Sequence, residues 1–142
     1  MLDRGGSGAP SERLRFIDFE FSRLPNGRCR AKVGLGWTEG TPFIGEAEGI
    51  TSQAGELRCA AAASVHALGR AVGTEMEFEL LGVKAVKAFD ATVVIVSLSA
   101  RKQGTASRLV GSFLTDTEPN RGAALAVLNA TNRILGNYFA TR

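Results

Sequence analysis

Residues 33–73 read VGLGWTEGTPFIGEAEGITSQAGELRCAAAASVHALGRAVG, and residues 94–136 read VIVSLSARKQGTASRLVGSFLTDTEPNRGAALAVLNATNRILG. Both run through a strand-like segment, a polar turn, a second strand-like segment, a capped alanine-rich helix and a glycine, over 41 and 43 residues. That self-similarity predicts an internal repeat. In the first stretch the period turns helical from Gly55, with Leu57, Ala61, Ser64/Val65, Leu68 and Val72 on one stripe until Gly73 stops it. In the second, residues 91–99 are β-branched on both faces (Thr92, Val93, Val94, Ile95, Val96), which predicts a strand covered on both sides. Residues 101–104 form a polar turn and 109–114 another strand. Asp116 or Thr117 then caps a last helix with Pro119 in its first turn. Leu125, Leu128, Leu135 and Phe139 form the apolar stripe of that helix, and Asn132 falls in line with them, where a buried amide needs a partner.

Working outward, residues 1–11 are rich in Gly and Ser and read as a flexible leader. Ile17, Phe19 and Phe21 alternate with Asp18 and Glu20, the pattern of a half-buried strand. Pro25-Asn26-Gly27 supplies a turn, because Asn and Gly tolerate positive φ. Cys29, Ala31, Val33, Leu35 and Trp37 then alternate with Arg28, Arg30 and Lys32. After a turn at residues 39–42, residues 43–49 give a third strand with Glu46 and Glu48 outward. Beyond the first helix, Met76, Phe78 and Leu80 alternate with Glu75, Glu77 and Glu79, and Gly82 marks a bulge before residues 83–89. The expected fold is α+β: two βββα repeats, 12–73 and 74–142, with antiparallel sheets and helices packed on one face.

The chain has 142 residues, 44% hydrophobic and 22% charged, enough apolar material for the core of one domain. No apolar run approaches the roughly 20 residues that span a bilayer, and the first ten residues lack a signal peptide's apolar stretch. The expected localisation is cytoplasmic, with no membrane partner. Two cysteines, Cys29 and Cys59, and one histidine, His66, leave no zinc spacing or Cys-x-x-Cys motif. No metal or cofactor is therefore expected. Through Glu79 nine Lys/Arg stand against eleven Asp/Glu, and from Leu80 onward eight against three. The basic second half could meet an anionic partner, but its charges are spread singly and read first as solvated surface.

Some of these residues carry a family resemblance. Gly45-Glu46-Ala47-Glu48-Gly49 leading into the first helix, Phe89-Asp90-Ala91-Thr92-Val93 opening a strand, and the last helix from Ala123 to Arg133 resemble the C-terminal regulatory and dimerisation domain of α-isopropylmalate synthase and citramalate synthase. The likeness runs from about Arg13 to Tyr138. Where that family has Gly-Pro-Val-Asp-Ala, this sequence has Gln53-Ala54-Gly55-Glu56-Leu57, and it holds no catalytic barrel. The resemblance implies a noncatalytic module that forms homodimers and binds a small amino acid near helix N-termini. Unpaired amides and the helix dipole suit a carboxylate there. Thr51, Ser52, Gly55 and Glu56 at the first helix start, and Asn120 and Gly122 at the second, are the ligand-binding candidates, although ordinary capping needs the same residue types. Asp116 and Glu118 oppose an anion at the second start unless Arg121 compensates, which favours the first. Small residues on helix faces read as exposed (Ala62, Gly69, Ala126, Ala130) suit a dimer contact.

Two alternatives belong to other classes. A nucleic-acid-binding module would use Lys84, Lys87, Arg101, Lys102, Arg108 and Arg121, but a Lys-rich cluster and aromatic stacking platforms are missing, so nucleic acid is disfavoured. A small enzyme would use His66, which lies off the apolar stripe with no orienting carboxylate in the pattern. No Gly-x-Ser-x-Gly elbow or phosphate loop occurs, so no catalytic residue is assigned. Cys29 and Cys59 have arginine neighbours but occupy apolar-face positions and read as small core residues.

Overall fold

The computed structural model describes residues 13–140, and the side chains of all of them except 133 and 136–140. Strands β1 (Arg15–Leu24), β2 (Arg28–Gly36) and β3 (Phe43–Ile50) are followed by helix α1 (Gln53–Val72). Strands β4 (Glu77–Ala88), β5 (Ala91–Lys102) and β6 (Thr105–Thr115) are followed by α2 (Pro119–Ala140). The order βββα is thus written twice, and each trio forms an antiparallel sheet with its middle strand central. The expected leader, residues 1–11, lies outside the described residues, as does the Phe139 side chain.

Turn chemistry fixes the hairpins. Asn26 and Gly27, at φ of 68° and 71°, close β1 onto β2, and Gln103 and Gly104, at 54° and 82°, close β5 onto β6. Gly73, at 72°, ends α1. The two sheets share one register irregularity. The pairing of β1 with β2 slips between Phe16 and Asp18, and that of β4 with β5 between Leu80 and Gly82, so Ile17 and Leu81 are bulged outward. Register matches Val33 with Val96, both central, both buried and each facing a glycine, Gly45 or Gly111, on the third strand.

Those two glycines set the packing distance. A Cβ on Gly45 would run into the Ala63 carbonyl and the Ala67 amide, and one on Gly111 into the Ala126 carbonyl and the Ala130 amide. Each helix therefore lies backbone-close on the third strand of its own sheet. It also reaches across, α1 to β4 and α2 to β1, and the helices pack on each other. Ala60, Ala61, Ala63 and Ala67 of α1, with Ala123, Ala124 and Ala126 of α2, are fully buried. Between the helices the Ser64 hydroxyl donates to the Ala124 carbonyl at 3.1 Å.

Three expectations are corrected. Ala126 and Ala130 are not exposed: the apolar face of α2 is turned onto Gly111, so its small residues serve the sheet contact rather than a partner. β5 is covered on one side only. Val94, Val96 and Leu98 are buried under the helices, while Ile95 on the other face is exposed and Val93 half-buried, because no element among the described residues packs there. Neither Asp116 nor Thr117 sits at the cap of α2: Glu118 precedes Pro119, its carbonyl accepting the first helical bond from the Gly122 amide, and its own amide donates to the Thr115 hydroxyl at 3.1 Å. Asn132 and Leu125 are half-buried, while Leu128 and Leu135 are in the core. Among the described residues no helix is long and apolar enough to cross a membrane.

Gly111→Ala is expected to cost about 3 kcal/mol in urea unfolding, because helix and strand backbones must separate. Gly82→Ala, with open space at its Cβ and no positive φ, should stay within about 1 kcal/mol.

Candidate functional site

The two helix starts come together. Ser52 caps α1, its hydroxyl accepting from the Gly55 amide at 3.0 Å and its carbonyl from the Glu56 amide at 2.8 Å. Thr51 ties the same loop to the β1–β2 turn: its hydroxyl donates to the Arg28 carbonyl and its amide to the Gly27 carbonyl, both at 2.8 Å. A Cβ on Gly55 would strike the Ile50 carbonyl, so glycine is required there by close approach. The Glu56 carboxylate, only 7% exposed, accepts two hydrogen bonds from the Arg23 guanidinium at 2.9 Å each. It accepts a third from the Asn120 amide at 3.1 Å. Gly122 donates its amide to the Glu118 carbonyl, and a Cβ there would press on the Thr115 and Val94 side chains at 3.3 Å.

Of the six candidates, Glu56 and Asn120 join the two helix starts, through a buried carboxylate that the protein itself provides. Glu56 in the first turn of α1 already faces the positive ends of both helix dipoles. The Arg23 hydrogen bonds hold its carboxyl below the usual carboxylate range against the opposing effect of burial, and the Asn120 amide helps. Arg23, absent from the expected set, lies on β1 at 65% side-chain exposure. Its register position opposite Cys29 is what points it at α1. Arg121 of α2 also crosses to β1, its guanidinium 5.2 Å from the Phe16 ring centre.

A second feature lies on the uncovered side of α1. A groove of about 920 Å³ runs between the free edges of β3 and β4. Val65, Met76, Phe78 and Ile44 give it an apolar lining; Arg70 and Arg101 stand on its rim with Glu46, Glu77 and Glu79. His66 stands in this groove, exposed, with Nδ1 2.6 Å from the Glu46 carbonyl oxygen. A carbonyl only accepts, so Nδ1 carries the hydrogen and Nε2 is left toward the groove. Its orienting group is a backbone carbonyl rather than a carboxylate. The matching device on the other unit is Asn129, whose side-chain oxygen accepts from the Ser112 amide at 3.0 Å. Both ties engage outward backbone groups of an edge strand. A smaller depression of about 290 Å³ over Gly55, Arg58 and Ala62 lies on the same face of α1, and Arg58 reaches the Leu80 carbonyl of β4 at 3.5 Å.

The cysteines are core residues. Both are buried; the Cys59 thiol donates to the Ala47 carbonyl at 3.3 Å, and burial together with Cys29 pushes it up to about 12. Among the described residues no group of three His, Cys, Asp or Glu is placed to hold a metal. No family model matches the chain, and no curated protein matches it.

Arg23→Met is expected to destabilise more than Glu56→Gln. The first leaves a buried carboxylate with one partner. The second releases an already exposed guanidinium to water and should cost less, as read by the midpoint of urea unfolding. A depressed carboxyl contributes stability above the unfolded value near 4.3 that is lost as pH falls through the folded one, so the acid limb of stability against pH should flatten in Glu56→Gln. In native protein at pH 7.5 Cys59 should resist iodoacetamide for hours and react within minutes in urea, as read by mass spectrometry.

Proposed function

We propose that the chain is a noncatalytic, homodimeric regulatory or assembly domain that binds a small amino acid. The observation that carries this reading is the groove over α1. It lies between strands of the two βββα units, combines an apolar lining with both signs of charge, and so suits a zwitterion with an aliphatic side chain. The likeness to the synthase regulatory domains supports the same reading. At the helix starts the Gly55 and Glu56 amides are spent on Ser52, and Glu56 fills the anion position. The groove is therefore the better place for the ligand: Arg70 or Arg101 would take its carboxylate, Glu46, Glu77 or Glu79 its ammonium group, and Met76 and Phe78 its side chain. A molecule held by β3, α1 and β4 together would stiffen the junction between the units, which is how a small ligand becomes a signal.

Leucine, isoleucine or valine at millimolar concentration should raise the melting temperature and move the amide resonances of residues 65–70 and 76–79. Gly69→Gln, which fills open space on the groove floor, should abolish both effects without lowering the unliganded melting temperature. Shifts confined to residues 51–56 would return the ligand to the helix start, and a broad amino-acid screen with no shift at all would leave an assembly module.

A further inference from the structure

The outer faces of the two sheets are built on the same register but in opposite chemistry. On the first sheet one row reads Ser22, Arg30, Glu48, and Arg30 bonds Glu48 at 2.6 Å. The corresponding row of the second sheet reads Val86, Val93, Leu114. The next row reads Lys84, Ile95, Ser112, and the one after it Gly82, Ser97, Val110, with Val110 64% exposed. At the hairpin tip beside this patch Phe89 is wholly exposed at a φ of 59°, a conformation costly for an aromatic residue. In a chain that solvates one sheet with ion pairs, this apolar patch marks a face made to be covered.

We infer that the outer face of β4-β5-β6 is the interface with a second copy of this chain, stacked face to face about a twofold axis parallel to β5. The inference rests on the homodimer reading and adds its surface and symmetry. Self-complementary charge selects the second copy and the axis. Below the apolar rows, Glu79 on β4 and Arg108 on β6 share one row with Ser99 between them. Lying two strands apart, about 10 Å, they are beyond ion-pair reach within one chain. An axis along β5 lays β4 of one copy over β6 of the other and keeps each row on its own row. Glu79 then meets the second copy's Arg108 twice, and the apolar rows meet each other. An axis across the strands and through the Ile95 row would instead set Lys84 on its own copy, whereas the axis along β5 sets Arg101, with Glu77 beside it in the row, on its own copy at the far end of the face. Three strands about 4.8 Å apart and eleven residues long give a face of about 500 Å², so the pair buries about 1,000 Å², at the low end for a specific interface. A reversible dimer of micromolar affinity follows. Glu79 also stands on the rim of the groove over α1, so the second copy's Arg108 would join that rim.

Sedimentation velocity on the full chain tests this. Wild type is expected to dimerise in the micromolar range, and Val110→Glu to weaken the dimer at least tenfold with an unchanged circular dichroism melt. Glu79→Arg and Arg108→Glu should each be monomeric at concentrations where wild type is dimeric, and an equimolar mixture of the two should regain dimer, because the mixed pair carries only opposite charges at both contacts. A monomeric wild type up to 100 µM overturns both the homodimer reading and this interface. A wild-type dimer that Val110→Glu and the single charge variants leave intact overturns the interface alone. If Val110→Glu dissociates the dimer but the mixture stays monomeric, the axis, and the proposal as stated, is wrong.

Discussion

Backbone-close contact between helix and strand at Gly45 and Gly111 is the constraint on which the rest of the structure depends. A helix seated that low must present small residues along its buried sides, which is why α1 and α2 are built from alanine where leucine would ordinarily face a sheet. Packing energy then comes from many short contacts rather than from large side chains. Many of the larger apolar groups of the core come from the strands and the loop before β4, among them Val33, Leu35, Val96, Leu98 and Met76, beside Leu68 and Val127 of the helices. The close seat also lets each helix touch its own sheet, the other helix and the first strand of the other unit at once. The units thereby share one core.

Sharing a core brings the two helix starts side by side, and the positive ends of two dipoles close together need an anion. Glu56 is that anion, and its near-complete burial is tolerable because Arg23 and Asn120 satisfy it. Three separate stretches, β1, α1 and α2, meet in this one hydrogen-bonded cluster. It contributes specificity of docking more than net stability, since a buried ion pair largely offsets its own desolvation.

Much of this architecture is legible in the sequence because alternation and helical period are local signals. Asn26-Gly27, Gly73 and the bulge at Gly82 sit where the pattern places them, and the stripe Leu57, Ala61, Ser64/Val65, Leu68, Val72 is buried. What the pattern misses is decided by a partner far along the chain. In α2 the eye follows Leu125, while the buried side is set by Gly111 on β6 and consists of alanines that look exposed by type. The run Thr92 to Val96 reads as doubly covered because its residues are apolar on both sides, yet coverage depends on what else the chain brings there. At the site, the helix starts that the sequence singles out meet through Glu56 and Asn120, but Arg23 is separated from Glu56 by 33 residues and only strand register reveals it. The groove is less legible still, since β3 and β4 become neighbours only through α1.

Strand edges and faces carry the remaining difference between the two units. Each unit uses a helix side chain, His66 or Asn129, to occupy an outward backbone group of its third strand, which lowers the tendency of that edge to pair with another chain. These ties guard the third-strand edges and leave the sheet faces to be compared. On the first sheet the face is closed to it by charge: separating a partner-facing Arg30 and Glu48 from water would cost more than their mutual attraction returns. On the second sheet the same row of positions holds valine and leucine, and no such cost arises. One doubled plan thus yields a solvated sheet and an apolar one. Duplication supplies the scaffold, and the divergence of a few outward residues decides which half meets water and which does not.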